Sequence, residues 1–351
     1  MFDIILAFIT AFSLTYLAIP SIISIARKKN LVDEPGERRS HTISTPSLGG
    51  IAIFAGVIFS IIMWTPFNVF SDLQYILCAF IIIFLIGAKD DIDPISPSKK
   101  FLGQVFAALI VVYKANIKLT SLYGIFGVYA LPGYVSILLS IFTIIVIINA
   151  FNLIDGINGL SGSIGALISL TLGSWFLQVD RIDLAIVAFA LTGSTIAFLK
   201  YNVTPAKIFM GDTGSLLLGL VCSILAIEFI ESHQYLTGHP YAFQAAPSVA
   251  VGILILPLFD TLRVFTMRLL SGRSPFSPDR NHIHHLLIDS GLSHMQATGV
   301  LVIVNIMFIF LVYRLQKIGT FNLLMVVLLV ALFLTSVLSF INKQKRAAPK
   351  F

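Results

Sequence analysis

The chain of 351 residues is 57% hydrophobic, only 11% charged, and carries a net charge of +6. With a mean hydropathy of +0.94, this composition excludes a soluble globular domain and indicates a membrane protein with many spans. No folded domain is available to present a basic face to nucleic acid, so we expect no nucleic-acid partner.

Apolar stretches long enough to cross a bilayer recur along the whole chain, since a span needs about 20 apolar residues. We predict an all-α polytopic membrane protein with about eleven transmembrane helices, of which the fourth is short. The predicted centres lie near residues 14, 56, 80, 107, 142, 169, 191, 222, 256, 304 and 331. Residues 1–341 are expected to form one transmembrane domain, and residues 342–351 a short basic cytoplasmic tail.

The distribution of lysine and arginine predicts the orientation. With the N-terminus outside, the cytoplasmic loops and tail hold most of the 23 basic residues, which is a strong positive-inside bias. The external basic residues are Lys114, Lys118, Arg181, Arg314 and Lys317. The partly alternating segment 117–131, between spans four and five, predicts a small external β-hairpin.

The first polar cluster covers residues 89–93, at the inner end of the third span. Asp90 and Asp91 are adjacent carboxylates, which repel each other unless a cation lies between them. Mg²⁺ is a natural cation here because it takes hard oxygen ligands together with substrate phosphate. Lys100 follows at the start of span four, where it either meets phosphate or anchors the span at the inner surface. A solvated acidic loop end is the alternative interpretation of the cluster.

The second cluster ends the fifth span. If helical, Asn149, Asn152 and Asp155 share one face at three-residue spacing, and their oxygen atoms suit a cation or phosphate site. Gly156 and Gly159 allow a ligand to approach the backbone closely. Polar contacts between helices, followed by a glycine-rich helix break, are the alternative.

The third cluster, Gly211 to Ser215, opens the eighth span. Asp212 at a helix start is either an N-cap or a metal ligand beside free backbone N–H groups that attract an anion. Lys207 lies nearby in the sequence and is a candidate for binding phosphate.

The fourth cluster is the loop Ser274–His285, SPFSPDRNHIHH, preceded by Asp260 and Arg263. Three imidazoles and an arginine fork converge well on phosphate. The candidates are Arg280, His282, His284 and His285. A solvated loop between two spans is the alternative. Within the preceding span, Pro257 is expected to kink the helix.

These motifs occur in an order that resembles the polyprenyl-phosphate N-acetylhexosamine-1-phosphate transferase superfamily, in particular its bacterial undecaprenyl-phosphate GlcNAc-1-phosphate transferase branch. The similarity rests on the aspartate pair, NAFNLIDGINGL, MGDTGS, SPDRNHIHH and the earlier HTISTPSLGGIAIFAG. It covers roughly residues 1 to 341. Bacterial relatives commonly carry aspartate at Asn158, which makes this residue a poor candidate for an essential charge.

The resemblance implies transfer of GlcNAc-1-phosphate from UDP-GlcNAc to undecaprenyl phosphate, at the cytoplasmic face of a bacterial inner membrane. It further implies Mg²⁺ or Mn²⁺ as cofactor, a role in initiating O-antigen or other cell-surface polysaccharide synthesis, surrounding membrane lipids and a homodimer. The implied catalytic residues are Asp90, Asp91, Asp155 and Asp212. Our own hypothesis from these residues gives the metal to Asp212 and Asn152, with Asp91 as a further direct or water-mediated ligand. It gives substrate binding to Lys100, Asn149, Lys207, Arg280, His282, His284 and His285, of which the three histidines also match the family's HIHH motif.

Three other functions remain open from the residues alone. The same reaction could use another UDP-N-acetylated sugar, namely GalNAc, QuiNAc, FucNAc or MurNAc-pentapeptide. A transporter would place its carboxylates near the bilayer midplane among internal repeats, whereas here they lie at inner helix ends and no repeat is visible. A zinc hydrolase would need an HExxH-type helix, which the histidine motif lacks.

Overall fold

The computed structural model describes residues 1–31, 45–70, 73–274 and 281–347, and over these ranges its regular structure is helical. The α-helices are α1 (Phe2–Lys28), α2 (Gly49–Trp64), α3 (Leu73–Ile92), α4 (Pro97–Tyr113), α5 (Gly133–Ile154), α6 (Leu160–Gln178), α7 (Ile182–Asn202), α8 (Gly211–Ser232), α9 (Ala246–Ile253), α10 (Ile255–Leu270), α11 (Ile283–Asp289), α12 (His294–Leu315) and α13 (Thr320–Ala347). The predicted all-α fold is therefore confirmed over these residues.

Judged by length and composition, fewer of the described helices qualify as membrane spans than the eleven that the sequence predicts. Within the described residues, seven helices are long and apolar enough to cross a membrane, and the bent pair α9–α10 adds an eighth if it counts as one span. The seven are α1, α5, α6, α7, α8, α12 and α13. The other three predicted centres fall in α2, which is apolar but has 16 residues, and in α3 and α4. The count of eleven is thus not confirmed.

The break between α9 and α10 bends the chain by 82°. The predicted kink lies here, but Pro257 stands in the first turn of α10 rather than at the bend itself. Proline has no N–H to donate to the carbonyl of Ile253, and the buried Asn305 of α12 donates to that carbonyl instead, at 3.1 Å. The oxygen of Asn305 also accepts from Leu256 N at 3.4 Å. One side chain therefore satisfies backbone groups on both sides of the break, as an apolar environment requires.

The core is built around α8, which packs against α2, α3, α5 and α6. Nearly all of its side chains are buried. Close backbone approach fixes its first turn. A Cβ at Gly50 of α2 would lie 2.1 Å from Gly214 N, and a Cβ at Gly87 of α3 would lie 2.5 Å from Thr213 Cα. Small residues at helix contacts permit this spacing in membranes. The start of α8 is consequently held between α2 and α3.

The segment between α4 and α5, predicted as a small external β-hairpin, does not form a pair of strands. It has one isolated antiparallel bridge, Ser121 to Ala130, and Leu122 N donates to Tyr129 O at 2.9 Å. A 3₁₀ turn at Ile125–Gly127 separates the two sides and ends the pairing. Glu231 of α8 holds this loop by accepting from Thr120 N at 2.9 Å and Thr120 Oγ1 at 2.6 Å.

Candidate active site

A polar cavity of about 550 Å³ lies where α3, α5 and α7 end and α4, α6 and α8 begin. All four predicted catalytic aspartates line it. The lining residues that the sequence singled out are Asp90, Asp91, Asn152, Asp155, Gly156, Asn158, Gly211, Asp212 and His285. Clusters far apart in the sequence therefore meet at one end of the bundle, as predicted.

Lys100 lies between two of the carboxylates. Its Nζ donates to Asp90 Oδ2 at 3.2 Å and also to Asp212 Oδ2. The other oxygen of Asp90 accepts from Ile95 N at 2.8 Å, in the turn that joins α3 to α4. The ammonium group supplies the positive charge that such close carboxylates need in order to stay ionised together.

Asp91 caps α8 from the neighbouring helix. Its Oδ1 accepts from Asp212 N at 2.7 Å, and its Oδ2 accepts from Thr213 N at 3.0 Å and Thr213 Oγ1 at 2.6 Å. Gly211 takes a positive φ of +71°, and a Cβ there would lie 2.1 Å from the carbonyl oxygen of Ser47. The helix start needs no cap from Asp212, whose carboxylate lines the cavity.

Asn152 joins α5 to α8 inside the cavity. Its Nδ2 donates to Asp212 Oδ1 at 2.7 Å and to Ser215 Oγ at 3.0 Å. Asn149, one turn earlier, does not line the cavity. It forms an amide pair with Gln104 of α4, with Asn149 Nδ2 to Gln104 Oε1 at 2.8 Å. Of the three residues of the second cluster, Asn152 and Asp155 therefore line the cavity, whereas Asn149 contacts the neighbouring helix α4.

Asp155 directly follows α5, on the cavity wall, and its Oδ1 accepts from Ser161 Oγ. Burial raises the pKa of Asp155 to about 6, and the negative charge of Asp91 acts in the same direction. A carboxyl group in this state exchanges a proton close to physiological pH.

Asn202, which the sequence analysis missed, holds the turn after Asp155. Its Oδ1 accepts from Gly159 N at 2.6 Å, and its Nδ2 donates to Ile208 O at 2.9 Å. Asn158 donates to Thr204 Oγ1 at 2.9 Å on the same loop. The sequence offered one sign of this structural role of Asn202, namely a polar residue at the end of the apolar helix α7. Lys207 is exposed on the loop from α7 to α8 and does not line the cavity.

The histidine motif divides between the cavity wall and the interior. His285 lines the cavity, together with His294, which the sequence analysis missed. His282 and His284 are buried behind the wall. Burial lowers the pKa of His284 to about 3, and His285 acts in the same direction, so that His284 is neutral at physiological pH. Arg280 lies outside the described residues.

The side-chain oxygen atoms that line the cavity suit a divalent cation that has few ligands from the protein. Asp90, Asp212 and Asn152 offer hard oxygen atoms, the type that Mg²⁺ prefers. No group of three His, Cys, Asp or Glu in the part of the chain that the structure describes is arranged to hold a metal by itself. Mg²⁺ does not need such a cage, because it commonly binds one or two carboxylates and takes water and substrate phosphate as its other ligands.

Fold and site together define a polytopic α-helical membrane protein with an acidic cavity at one end of its helix bundle. Lys100 is paired with two of the aspartates that line this cavity. Residues 73–230 match the family model described as glycosyl transferase family 4. The matched segment runs from the start of α3 almost to the end of α8, so it contains Asp90, Asp91, Asp155 and Asp212.

Curated bacterial relatives match over most of the chain. A probable undecaprenyl-phosphate N-acetylglucosaminyl 1-phosphate transferase of Bacillus subtilis (strain 168) is 31% identical over 88% of this chain and 84% of the relative. Undecaprenyl-phosphate alpha-N-acetylglucosaminyl 1-phosphate transferases of Yersinia pestis and Escherichia coli (strain K12) are 32% and 31% identical. They cover 83% and 78% of this chain, and 78% and 73% of the relatives. The chain belongs to glycosyl transferase family 4, which confirms the resemblance.

Proposed function

We propose that this protein transfers GlcNAc-1-phosphate from UDP-GlcNAc to undecaprenyl phosphate, giving undecaprenyl-diphospho-GlcNAc and UMP. The observation that carries the proposal is the convergence of four aspartates from three sequence motifs on one cavity, two of which, Asp90 and Asp212, are paired with Lys100. The names of the curated relatives include undecaprenyl phosphate and the N-acetylglucosaminyl 1-phosphate group; UDP as the carrier of that group comes from the resemblance of the motifs. An oxygen of the lipid phosphate attacks the sugar-bearing phosphorus, and the bond from that phosphorus to the UMP oxygen breaks.

Asp90 and Lys100 act on the incoming lipid phosphate in this proposal. A phosphate monoester has a second pKa of about 6, so the nucleophile is largely ionised near neutral pH. Asp90 orients this phosphate and takes its remaining proton when one is present. Lys100, which reaches both Asp90 and Asp212, offsets the charge that accumulates as two anionic substrates enter.

Asp212 and Asn152 would hold a divalent metal, Mg²⁺ with Mn²⁺ as the substitute. When bound, this metal would screen the donor diphosphate and stabilise the departing UMP. The three hydrogen bonds that Asp91 accepts all come from the first turn of α8, the turn that carries Asp212, whereas Asp212 itself accepts from the side chains of Asn152 and Lys100. We therefore assign to Asp91 the positioning of Asp212, and a metal contact through water.

The donor is bound on the other side of the cavity. Asp155 organises the nucleotide or the water shell of the metal, and His285 contacts the diphosphate or the sugar. Arg280 is proposed to join His285. Lys207 and Asn149 were predicted to bind substrate, but their positions outside the cavity lining give this role less support.

The proposal also includes a location. The cavity lies at the bundle end that carries the excess of lysine and arginine, which supports a cytoplasmic active site in a bacterial inner membrane. We retain eleven spans as part of the proposal, with α2, α3 and α4 crossing beside α8. The single domain, the homodimer and the role in O-antigen or related polysaccharide synthesis stay predictions.

The test uses purified protein with undecaprenyl phosphate and Mg²⁺, offered labelled UDP-GlcNAc, UDP-GalNAc or UDP-MurNAc-pentapeptide separately. We expect UMP release and lipid-bound label from UDP-GlcNAc, both abolished by EDTA. Transfer from another donor alone would refute the proposed sugar. Absence of transfer from every donor, with folded protein, would refute the proposed reaction.

A further inference from the structure

A buried carboxylate outside the acidic cavity contacts the histidine motif. Asp260, on α10, is only 1% exposed. Its Oδ2 lies 2.8 Å from His282 Nδ1. Its Oδ1 accepts from Ile283 N at 2.9 Å and from Arg263 Nη2 at 3.1 Å. Arg263 Nη2 also donates to the carbonyl of Asn281. Both oxygens of this buried group are thus hydrogen-bonded, as its burial requires.

These contacts fix both the chemistry of His282 and the place of α11. An ionised carboxylate only accepts hydrogen bonds, so His282 Nδ1 carries the proton in this pair. His282 is the N-cap residue of α11, and Ile283 is its first residue. Asp260 therefore holds the start of α11 to α10 by one side-chain and one backbone hydrogen bond.

Contacts between the imidazole rings of the histidine motif connect the start of α11 to the cavity. The rings of His282 and His284 are nearly parallel, with centroids 5.6 Å apart, and the centroids of His284 and His285 are 4.2 Å apart. His284 also packs against the turn after α5, because a Cβ at Gly156 would lie 2.3 Å from His284 Nε2. A displacement of α11 would consequently move both His285 and the turn that carries Asp155.

We infer that Asp260 is a positioning residue for the transfer reaction, and that His282 serves as its partner rather than as a ligand of the substrate. The pair sets α11 so that His285 and the Asp155 turn form the donor side of the cavity. This inference rests on the proposed function. Each histidine of the motif then has its own role. His282 holds α11 to Asp260, His284 packs against the turn after α5, and His285 contacts the sugar nucleotide.

The test compares steady-state constants of Asp260→Ala, Asp260→Asn, His282→Ala and His282→Asn. Asp260→Ala removes the hydrogen bonds to both Ile283 N and His282. In Asp260→Asn, the oxygen that remains accepts from Ile283 N and Arg263, and the amide turns its NH₂ group toward His282, so that both contacts with α11 are kept. Outer-shell partners that orient a ligand commonly contribute about 10-fold or more. We expect the KM for UDP-GlcNAc to rise about 10-fold in Asp260→Ala and His282→Ala and to stay within about 3-fold in Asp260→Asn, while the KM for undecaprenyl phosphate stays within about 2-fold in all of them.

His282→Asn is the conservative variant, because an asparagine amide can still donate to Asp260 in place of Nδ1. It should regain most of the donor affinity that His282→Ala loses. The control is Asp183→Asn, which removes a carboxylate hydrogen-bonded to Arg181 Nε at 3.1 Å beyond the opposite end of the bundle. Both KM values of this control should match the wild type.

Two outcomes would overturn the inference. An unchanged donor KM in Asp260→Ala would show that the pair does not position the donor side. A loss in His282→Asn as large as in His282→Ala would show that the imidazole itself contacts the substrate. If Asp260→Ala fails to fold, the comparison of the two His282 variants still decides between these roles.

A second readout separates this inference from the proposed function. In ¹⁵N-histidine-labelled protein, His282 should show a protonated Nδ1 in the wild type and a deprotonated Nδ1 in Asp260→Asn, whether or not transfer occurs. Wild-type protein that has this signature but transfers no sugar phosphate would refute the function alone. Wild-type protein that transfers but lacks the signature would refute the pair.

Discussion

Asp91 offers the sharpest test of how the site is organised, because its carboxylate accepts three hydrogen bonds from the first turn of α8. Replacing it by alanine removes the cap of the helix that carries Asp212. Loss of a helix cap costs about 0.5–2 kcal/mol, and hydrogen bonds to a charged group contribute about 1.5–3 kcal/mol. We therefore expect Asp91→Ala to lower the free energy of unfolding by about 2 kcal/mol.

The same structure predicts how activity should change. In Asp91→Asn one oxygen becomes an NH₂ group that cannot accept from Thr213 N, so Asp212 loses part of its support. We expect kcat to fall by about 100-fold or more, since preorganised groups at reacting phosphates contribute on this scale. The Mg²⁺ concentration needed for half-maximal turnover should change by less than about 3-fold, because the proposed metal ligand Asp212 is intact. Asp212→Asn should raise that concentration strongly.

The assay is UMP release from UDP-GlcNAc across a Mg²⁺ titration, with unfolding followed on the same samples. Thr213→Val removes only the hydroxyl donor to Asp91 and should show a smaller loss of kcat, whereas Thr213→Ser keeps that donor and should resemble the wild type. A larger shift of the Mg²⁺ requirement in Asp91→Asn than in Asp212→Asn would refute the reasoning, because Asp91 would then be the principal metal ligand.

Further predictions concern charge, pH and the broken helix. Lys100→Met should lower turnover by about 100-fold, as it removes the cation between two carboxylates, and Lys100→Arg should restore part of it. Because the pKa of Asp155 is raised to about 6, turnover should fall below about pH 6. Asp155→Asn should make this limb shallower in pH–rate measurements, leaving the part that protonation of the lipid phosphate contributes. The raised pKa of Asp155 also means that, as pH rises, this carboxyl group loses its proton in the unfolded chain before it does so in the folded protein. The free energy of unfolding of metal-free protein should therefore decrease as pH rises from the ordinary carboxyl range to about 6, which chemical denaturation at several pH values would measure. Asn305→Leu should destabilise by about 1–3 kcal/mol in thermal unfolding, since the carbonyl at the α9–α10 break loses its donor.

The sequence predicted the fold class and the meeting of the acidic motifs because both follow from local patterns. Long apolar stretches define spans. Alternation of helix direction then brings Asp90, Asp155 and Asp212 to one end of the bundle. The histidine motif could likewise be placed at that end by counting spans, although only His285 of its three histidines lines the cavity.

The contacts of several side chains depend on residues of other helices and could not be predicted from the sequence. Asn149 satisfied the three-residue spacing, but the amide of Gln104 on α4 binds it outside the cavity. The role of Asp91 as a cap depends on the approach of α3 to α8, which Gly87 permits. Asn202 looked like an ordinary polar helix end, and its contact with Gly159 N, 43 positions away, exists only after α7 packs. Contacts across 45 positions for Asn149 and 121 positions for Asp91 likewise leave no periodic signal along the chain.

Two helix starts that carry site residues are capped by carboxylates borrowed from other helices: α8 by Asp91 of α3, and α11 by Asp260 of α10. Neither cap is encoded next to the helix that it completes. The catalytic arrangement can therefore not form in a chain whose helices have entered the membrane singly, however well each helix is folded. Activity of the growing chain must await α3 and α8 meeting side by side, and donor recognition must await the still later docking of α11.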